Sequence, residues 1–278
     1  MERIGYYPGC TLESTAKEFD VTSRMVCQLL DIELIEIPDW NCCGASSAHE
    51  LNNYLAIALP ARNLIKAEML GFNIVVPCAA CFNRLKTAEK VLLRNGYKEF
   101  PYKGKIKVFD LLRFLAKEKY LKLLKQNVKR PLKGIKAVAY YGCLLSRPPD
   151  ITDHPQPENP TEMERILEAI DIDCIEWCYK TDCCGASLVV GRTDIVLRLV
   201  KKLYDKAIEV GANCIVTACP LCHANLDLRQ KEINEKFHKD YYLPIFYFTE
   251  LMALAMGLKV EKWFKGHLVD PIPLLKNL

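Results

Sequence analysis

The chain has 278 residues, half of them hydrophobic and 26% charged, with a formal net charge of +4 at pH 7. This length suits two domains of ordinary size or one large domain. The charge is too small, and the basic and aromatic residues too scattered, to predict nucleic-acid binding. The first residues lack the pattern of a signal peptide, and no apolar run approaches the roughly 20 residues that span a bilayer. We therefore expect a cytoplasmic protein, whose 14 cysteines are better explained by metal binding or catalysis than by disulfides.

The pattern of apolar residues predicts alternating strands and helices in both halves of the chain. In the first half we expect strands at 4–8, 34–38, 74–77 and 107–109, and helices over 16–30, 50–70, 82–94 and on to about 124. In the second half we expect strands at 137–141, 172–177 and 214–218, and helices over 163–170, 192–210 and from 224. Apolar strands between amphipathic helices are typical of βαβ units around a parallel sheet. The predicted fold is α/β, with two pseudo-symmetric domains over residues 1–130 and 131–278, each a small parallel-sheet βαβ unit.

A pattern of five cysteines occurs twice along the chain. The first copy consists of Cys10, Cys42, Cys43, Cys78 and Cys81, and the second of Cys143, Cys183, Cys184, Cys219 and Cys222. In both copies a glycine follows the paired cysteines, and the closing C-x-x-C begins 35 positions after the second cysteine of the pair. The cysteine groups follow predicted strands, so they should meet at the C-terminal edge of each sheet. The repetition indicates that the chemistry of the protein is located there.

Five sulfurs in each copy favour a multi-iron cluster over simpler sites. A structural zinc site closes with four ligands, and an odd number of cysteines cannot pair completely into disulfides within one copy. Adjacent cysteines do not easily bind one metal atom together, but they can bind two atoms of a cluster, and thiolates are the usual ligands of iron–sulfur centres. Zinc in one copy, or a zinc-bearing scaffold subunit, remains an alternative. A thioredoxin-like C-x-x-C is another, although it leaves the paired cysteines unexplained.

Three further features carry weaker signals. The run from Cys219 to His223 matches a c-type haem attachment motif, but Phe82 occupies the position of His223 in the first copy, so the histidine is not part of the repeat. The four remaining cysteines are predicted to pack as small buried side chains, at Cys27, Cys174, Cys178 and Cys214. The proline-rich loop 146–160 is either a substrate-binding loop or a connector.

The two cysteine copies resemble the CCG-domain family over almost the whole chain. Within that family, the run from Gly142 to Pro149 is similar to the B subunit of methanogen heterodisulfide reductase. The resemblance implies that each five-cysteine set binds a non-cubane [4Fe-4S] cluster, with the ten cysteines above as metal ligands. It also implies a catalytic subunit that reduces the mixed disulfide of coenzyme M and coenzyme B to two thiols in methanogenesis. A redox subunit of another complex, in lactate or glycolate oxidation or in sulfur metabolism, is the alternative.

The anionic groups of that disulfide predict cationic residues around the site. Arg147 in the proline-rich loop is the first candidate for substrate binding, and Arg84 and Arg192 near the ends of the motifs are the others. The chain has no ferredoxin-type cysteine run and no dinucleotide fingerprint, so a partner must supply the electrons. The resemblance implies that the partners are a ferredoxin-like iron–sulfur protein and a flavoprotein, both subunits of the same heterodisulfide reductase.

Overall fold

Two four-stranded parallel sheets form the framework of the protein. The computed structural model describes residues 1–45, 47–95 and 97–276, so residues 46, 96, 277 and 278 of the predicted domains lie outside the described residues. The strands of the first sheet are β1 Glu2–Tyr6, β2 Ile32–Glu36, β3 Ile74–Val76 and β4 Val108–Asp110. Those of the second are β5 Lys136–Tyr140, β6 Asp173–Cys174, β7 Cys214–Thr217 and β8 Ile245–Tyr247. The strand orders, β2-β1-β3-β4 and β6-β5-β7-β8, are equivalent, which confirms the predicted α/β fold of two pseudo-symmetric units.

Helices connect the strands and cover the sheets. The first half contains α1 Cys10–Glu13, α2 Lys17–Leu29, α3 Ala48–Leu51, α4 Asn53–Leu70, α5 Ala79–Asn95, α6 Leu111–Leu115 and α7 Glu118–Asn127. The second half contains α8 Pro149–Thr152, α9 Glu162–Glu168, α10 Thr193–Glu209, α11 Pro220–Phe237, α12 Phe248–Ala255 and α13 Ile272–Leu275. Among the described residues, no helix combines the length and the hydrophobicity needed to cross a membrane. The division predicted between residues 130 and 131 lies between α7 and β5.

The strand predicted over 172–177 is much shorter in the structure. Only β6 remains of it, and this strand pairs with β5 through Lys136 opposite Asp173 and Ala137 opposite Cys174. The ring of Trp177 is buried, and its indole N–H donates a hydrogen bond to the carbonyl of Ala139 at 2.8 Å. The chain therefore leaves the sheet early, because the tryptophan packs into the core where further strand pairing would have continued.

The helices also differ from their predicted limits. The helix expected to reach about residue 124 is divided into α6 and α7, because Lys117 has extended backbone angles (φ −64°, ψ 143°). Helices α5 and α11 begin earlier than predicted, so each closing C-x-x-C lies at the start of a helix. Strand β8 and helix α12 were not predicted. Every residue of α12 is buried, and a helix that is buried on all sides lacks the amphipathic period by which helices are recognised.

The two halves share a hydrophobic core in which α2 packs against α12. The ring of Phe19 on α2 stacks on Tyr247 at the end of β8, with centroids 4.2 Å apart. Beside this stack the buried hydroxyl groups of Thr22 and Thr249 form a hydrogen bond of 2.7 Å. The stack and this hydrogen bond fix the position of one half against the other, and therefore the position of the two cysteine sets.

Candidate metal centres

The first five-cysteine set is gathered at the C-terminal ends of the strands of the first sheet. Cys10 begins α1 after β1, the paired cysteines lie in the loop after β2, and Cys78 and Cys81 flank the start of α5 after β3. The sulfur atoms of Cys10 and Cys42 are 3.9 Å apart, and those of Cys43 and Cys81 are 3.3 Å apart. Each of the adjacent cysteines 42 and 43 thus contacts a different cysteine from elsewhere in the set.

The second set repeats this arrangement on the second sheet. The sulfur atoms of Cys184 and Cys222 lie 3.7 Å apart, as the counterpart of the pair formed by Cys43 and Cys81. Cys143 and Cys183, the counterparts of Cys10 and Cys42, lie close enough for each thiol to shift the pKa of the other. The structure therefore brings together all five predicted residues of each set.

The two sets meet at the interface between the halves. Cys78 and Cys219 are 2% and 3% exposed, and their thiols lie close enough across the interface for each to shift the pKa of the other. The Cys219 thiol is the largest cause of the raised pKa of Cys78, whereas the thiols of Cys222 and Cys78 lower the pKa of Cys219. Both cysteines are near enough to Tyr247 to contribute to the raised pKa of its phenol, which burial raises most. Two centres at these positions would therefore lie side by side.

Glycines keep the backbone close to the sulfur atoms. A Cβ atom at Gly9 would lie 3.0 Å from the sulfur of Cys81, and one at Gly142 would lie 2.8 Å from the sulfur of Cys222. Both glycines have positive φ, +74° and +65°. After the paired cysteines, the N–H of Gly185 donates to the sulfur of Cys183 at 3.3 Å. Each set therefore has a backbone cradle that a side chain would obstruct.

The sulfur geometry fits metal binding. Two thiolates on one tetrahedral metal atom lie about 3.8 Å apart when each metal–sulfur bond is about 2.3 Å. The pairs Cys10–Cys42 and Cys184–Cys222, at 3.9 Å and 3.7 Å, match this value, whereas Cys43–Cys81 is shorter at 3.3 Å. Five thiols exceed the four that one tetrahedral metal accepts, so a fully used set requires more than one metal atom.

The pKa values of some thiols are lowered, and a cysteine binds metal as the thiolate. Hydrogen bonds from the thiols of Cys42 and Cys81 lower the pKa of Cys43 to about 3, and the positive charge of Arg84 contributes to this shift. In the second set a hydrogen bond from Cys143, aided by the N–H of Gly185, lowers the pKa of Cys183 to about 6. In each set these contacts favour the thiolate form of one cysteine.

The three predicted substrate-binding arginines lie in different surroundings. Arg84 is half-buried on α5, close enough to Cys43 to lower its pKa. Arg147 donates its backbone N–H to the carbonyl of Cys143 at 3.1 Å, and its guanidinium group contacts Glu158 and Thr181. Arg192 lies at the surface at the start of α10 and pairs with Asp194 at 3.0 Å. Arg84 and Arg147 are therefore next to the cysteine sets.

The proline-rich loop belongs to the second half and packs against the first half. Asn83, two residues after Cys81, donates to the carbonyl of Arg147 at 3.1 Å. Arg113 on α6 donates to the carbonyl of Thr152 at 3.0 Å, and Lys90 on α5 pairs with Asp153. The loop therefore contacts α5 and α6 of the first half, at the edge of the region that contains the cysteines.

The four cysteines outside the sets do not behave alike. Cys27 and Cys214 are completely buried and Cys174 is half-buried, and burial raises the pKa of all three. Cys178 is exposed, so the prediction that it packs in the interior was wrong. Its neighbour Trp177 turns into the core, which leaves the next side chain facing outward.

Two buried tyrosines were not recognised from the sequence. Tyr7 and Tyr140 lie beneath the two cysteine sets, and each hydroxyl group donates to the carbonyl of the residue before the cysteine pair. The tyrosine pairs 6–7 and 140–141 are visible in both repeats, but Pro8 displaces the first pair by one position relative to the glycine. Counting back from the glycine would have aligned Tyr7 with Tyr140.

A buried ion pair lies beyond the second set. His223, next to Cys222, donates from Nε2 to the carbonyl of Ile245 at 3.0 Å and stacks on Tyr247. His267 packs against it edge to face, and its Nε2 lies 2.9 Å from a carboxylate oxygen of Glu250, with both side chains fully buried. Burial by itself lowers the pKa of His267. The nearby carboxylates, chiefly that of Glu250, outweigh this effect and raise the pKa to about 9.

This ion pair predicts a pH-dependent contribution to stability. Because the pKa of His267 rises from 6.5 unfolded to about 9 folded, its contribution is complete below pH 6.5 and is lost as the pH rises through 9. We expect the free energy of unfolding to fall by about 3 kcal/mol over this interval. His267→Gln should flatten the fall when unfolding is followed from about pH 6 to about pH 10. Parallel profiles for the two proteins would contradict the assignment.

The sequence is similar to known proteins over both cysteine repeats. The profile of the CCG cysteine-rich domain matches residues 4–86 and 137–227, one match for each repeat, which confirms the predicted resemblance. The chain is 29% identical over 276 residues to the 8-methylmenaquinol:fumarate reductase membrane anchor subunit of Wolinella succinogenes, covering 96% of both chains. It is 27% identical to the B subunit of the ferredoxin/F420H2-dependent CoB–CoM heterodisulfide reductase of Methanosarcina acetivorans, covering 94% of this chain and 92% of the relative.

A solved structure shares the fold. A hypothetical protein from Helicobacter pylori superposes with a TM-score of 0.74 at 12% identity. The match covers 97% of this chain and 52% of the other, so the present chain spans about half of that protein. At this identity the similarity supports the arrangement of two sheets and says nothing of the chemistry.

Proposed function

The chain belongs to the CCG cysteine-rich domain family, and from this membership we propose that it is the catalytic subunit of a heterodisulfide reductase. Its reaction would be reduction of the mixed disulfide of coenzyme M and coenzyme B to two thiols. The observation that carries the proposal is the presence of two complete five-cysteine sets that meet at Cys78 and Cys219. The full-length similarity to the B subunit of a heterodisulfide reductase supports it.

The ten cysteines would hold two non-cubane [4Fe-4S] clusters, one in each set. When bound, such clusters supply and accept single electrons. The close sulfur pairs, the glycine cradles and the lowered pKa values of Cys43 and Cys183 support this use of the sets. A metal analysis that finds zinc and no acid-labile sulfide would favour the scaffold alternative.

The reaction consumes two electrons and two protons for each disulfide that is cleaved, and it releases two thiols. The protein's own part is to hold the substrate at the junction of the two sets and to bind its anionic groups. Arg84 and Arg147 would perform that task, since they lie beside the first and second set, respectively, whereas Arg192 lies farther out at the surface. The proline-rich loop would border the bound substrate, since it contacts α5 and α6 close to Cys81.

The electrons would come from other subunits of a cytoplasmic complex. The chain contains no ferredoxin-type cysteine run, which supports a ferredoxin-like iron–sulfur protein as the direct donor and a flavoprotein behind it. In the first set Cys10 and Cys42 are exposed, and in the second Cys183 is exposed. A donor could therefore approach either set from the surface.

The proposal is tested by turnover of the mixed disulfide. The anaerobically purified complex, supplied with a reduced viologen dye, should oxidise two equivalents of dye and release two thiols for each disulfide consumed. Arg147→Ala should raise the KM for the disulfide more than it lowers kcat, because the arginine would bind the substrate and take no part in the electron transfer. A complex with full iron and sulfide content and no disulfide turnover would refute the proposal.

A second function is favoured by one comparison. The similarity to the fumarate reductase subunit of Wolinella succinogenes covers 96% of both chains and, at 29%, exceeds the identity to the heterodisulfide reductase relative. We propose as the alternative that the chain serves a quinol-dependent fumarate reductase. The same complex, assayed with a reduced menaquinone analogue and fumarate, should then turn over, while the mixed disulfide should be left unchanged.

A further inference from the structure

A fully buried tyrosine supports the paired-cysteine loop in each half. Tyr7 follows β1 and Tyr140 ends β5, and both side chains are inaccessible to solvent. The hydroxyl of Tyr7 donates to the carbonyl of Asn41 at 2.8 Å, and that of Tyr140 donates to the carbonyl of Asp182 at 2.7 Å. These carbonyls belong to the residues directly before the two cysteine pairs. The same support therefore occurs twice.

The electrostatic surroundings of the two tyrosines are also the same. Burial raises the pKa of both phenols far above the ordinary value, and the neighbouring cysteines raise it further. Among those cysteines, Cys81 contributes most at Tyr7 and Cys222 contributes most at Tyr140. Both phenols thus remain neutral hydrogen-bond donors.

The two paired-cysteine loops differ in whether a second side chain donates to the carbonyl of the residue before the pair. In the first half the amide of buried Asn63 on α4 donates to the carbonyl of Asn41 at 2.8 Å and accepts the N–H of Asn41 at 2.9 Å. The equivalent position in the second half, counted from the closing C-x-x-C, is Tyr204, whose hydroxyl instead bonds to the carbonyl of Leu226. Among the described residues, Tyr140 is the one side chain that donates to the carbonyl of Asp182.

The loops also differ in the contacts made by the side chain of the residue that precedes each cysteine pair. In the first half the amide of Asn41 donates to the carbonyl of Leu59 at 3.1 Å and accepts from Arg62 at 2.9 Å. In the second half the corresponding Asp182 pairs with Lys202 at 3.0 Å, and this lysine is half exposed. The residue before the pair is therefore held by more side chains in the first loop than in the second. Within the second pair, the buried amide of Asn225 donates to the carbonyl of Cys184 at 2.6 Å.

We propose that Tyr140 is a positioning residue of the second cysteine pair, whereas the first pair, whose preceding carbonyl accepts from both Tyr7 and Asn63, does not depend on its tyrosine. Loss of the Tyr140 hydroxyl frees the carbonyl before Cys183 and leaves the second pair held by the hydrogen bond from Asn225, so that the loop shifts and moves Cys184 relative to Cys222. Loss of the Tyr7 hydroxyl leaves Asn41 held by Asn63. The effect on metal retention that this proposal predicts rests on the proposed function, in which each set binds a metal cluster.

The test compares Tyr140→Phe and Tyr7→Phe, which keep the ring and remove the hydroxyl group. In the anaerobic holoprotein, a ferrous chelator should extract half of the iron several-fold faster from Tyr140→Phe than from the unsubstituted protein. Tyr7→Phe should stay within about twofold of the unsubstituted rate, and the double substitution Tyr7→Phe with Asn63→Ala should reproduce the fast phase. The electron paramagnetic resonance spectrum of Tyr140→Phe should change at equal iron content, which a general loss of stability would not cause.

Tyr204→Phe is the matched control, because it removes another buried tyrosine-to-carbonyl hydrogen bond from the same half. It should leave both the extraction rate and the spectrum unchanged. Equal effects of Tyr7→Phe and Tyr140→Phe, or equal effects of Tyr140→Phe and Tyr204→Phe, would overturn the proposal.

A second measurement separates this proposal from the proposed function. Cys43 and Cys184 are 2% and 3% exposed, so their alkylation by iodoacetamide in metal-free protein reports on movement of each loop. Mass spectrometry should show several-fold faster alkylation of Cys184 in Tyr140→Phe, and a change within twofold for Cys43 in Tyr7→Phe. If the unsubstituted protein contains no iron, the proposed function fails, while this alkylation pattern still decides the role of the tyrosines.

Discussion

Replacing Cys184 by serine is expected to abolish the proposed disulfide reduction and to remove the iron proposed for the second set, leaving about four of about eight iron atoms per chain. Cys184 is buried, its sulfur lies 3.7 Å from that of Cys222, and its pKa is lowered by a hydrogen bond from that thiol. A serine hydroxyl does not ionise near neutral pH and is a poor ligand for iron. The loss of activity should exceed the roughly 10–100-fold typical of residues that only orient a ligand.

Cys214→Ser provides the matched control for this substitution. Cys214 is fully buried on β7, the strand that leads to Cys219, but it lies outside both sets. Its replacement should cost about 1–3 kcal/mol of stability, because a hydroxyl enters an apolar site, and should leave the iron content unchanged. Retention of all the iron by Cys184→Ser, or equal loss of iron from both variants, would contradict the assignment of Cys184.

Adding one methyl group at Gly142 is expected to have an effect almost as large. A Cβ atom at this position would lie 2.8 Å from the sulfur of Cys222, closer than such atoms approach in proteins. Gly142→Ala should therefore displace Cys222, release the iron proposed for the second set and reduce the proposed disulfide turnover at least 100-fold. Iron content, acid-labile sulfide and turnover would be measured on anaerobically purified protein.

Gly211→Ala separates the steric effect from backbone strain. Both glycines have positive φ, +65° at Gly142 and +86° at Gly211, so both alanine variants carry a strain of about 1–2 kcal/mol. A Cβ atom at Gly211 meets nothing within 4 Å, so that variant should lose stability but keep its iron. If the two variants lost iron to the same extent, the close approach to Cys222 would not be the cause.

Much of the fold could be predicted because short segments of the sequence show the patterns that indicate strands, helices and the repeat. The apolar runs that became β3 and β7 led directly to C-x-x-C motifs, and the spacing of the paired cysteines revealed the repeat. The strand predicted over 172–177 was too long, because nothing local shows that Trp177 packs into the core. Helix α12 was missed because it is buried on every side and has no polar face.

The arrangement of the site could be predicted only within each half. That five cysteines converge follows from parallel strands, whose C-terminal ends share one edge. The contact between Cys78 and Cys219 depends on how α2 packs against α12, and no spacing in the sequence contains that information. The roles of Tyr7 and Tyr140 were hidden by Pro8, which shifts the tyrosine pair by one residue relative to the repeat.

The central claim is that each five-cysteine set holds a four-iron cluster. Its most direct test is the content of iron and acid-labile sulfide per chain in anaerobically purified protein. We expect about eight of each, falling to about four in Cys184→Ser. About four in the unsubstituted protein, or zinc without sulfide, would contradict two equivalent cluster sites and, with them, the proposed reduction of a disulfide between the two halves.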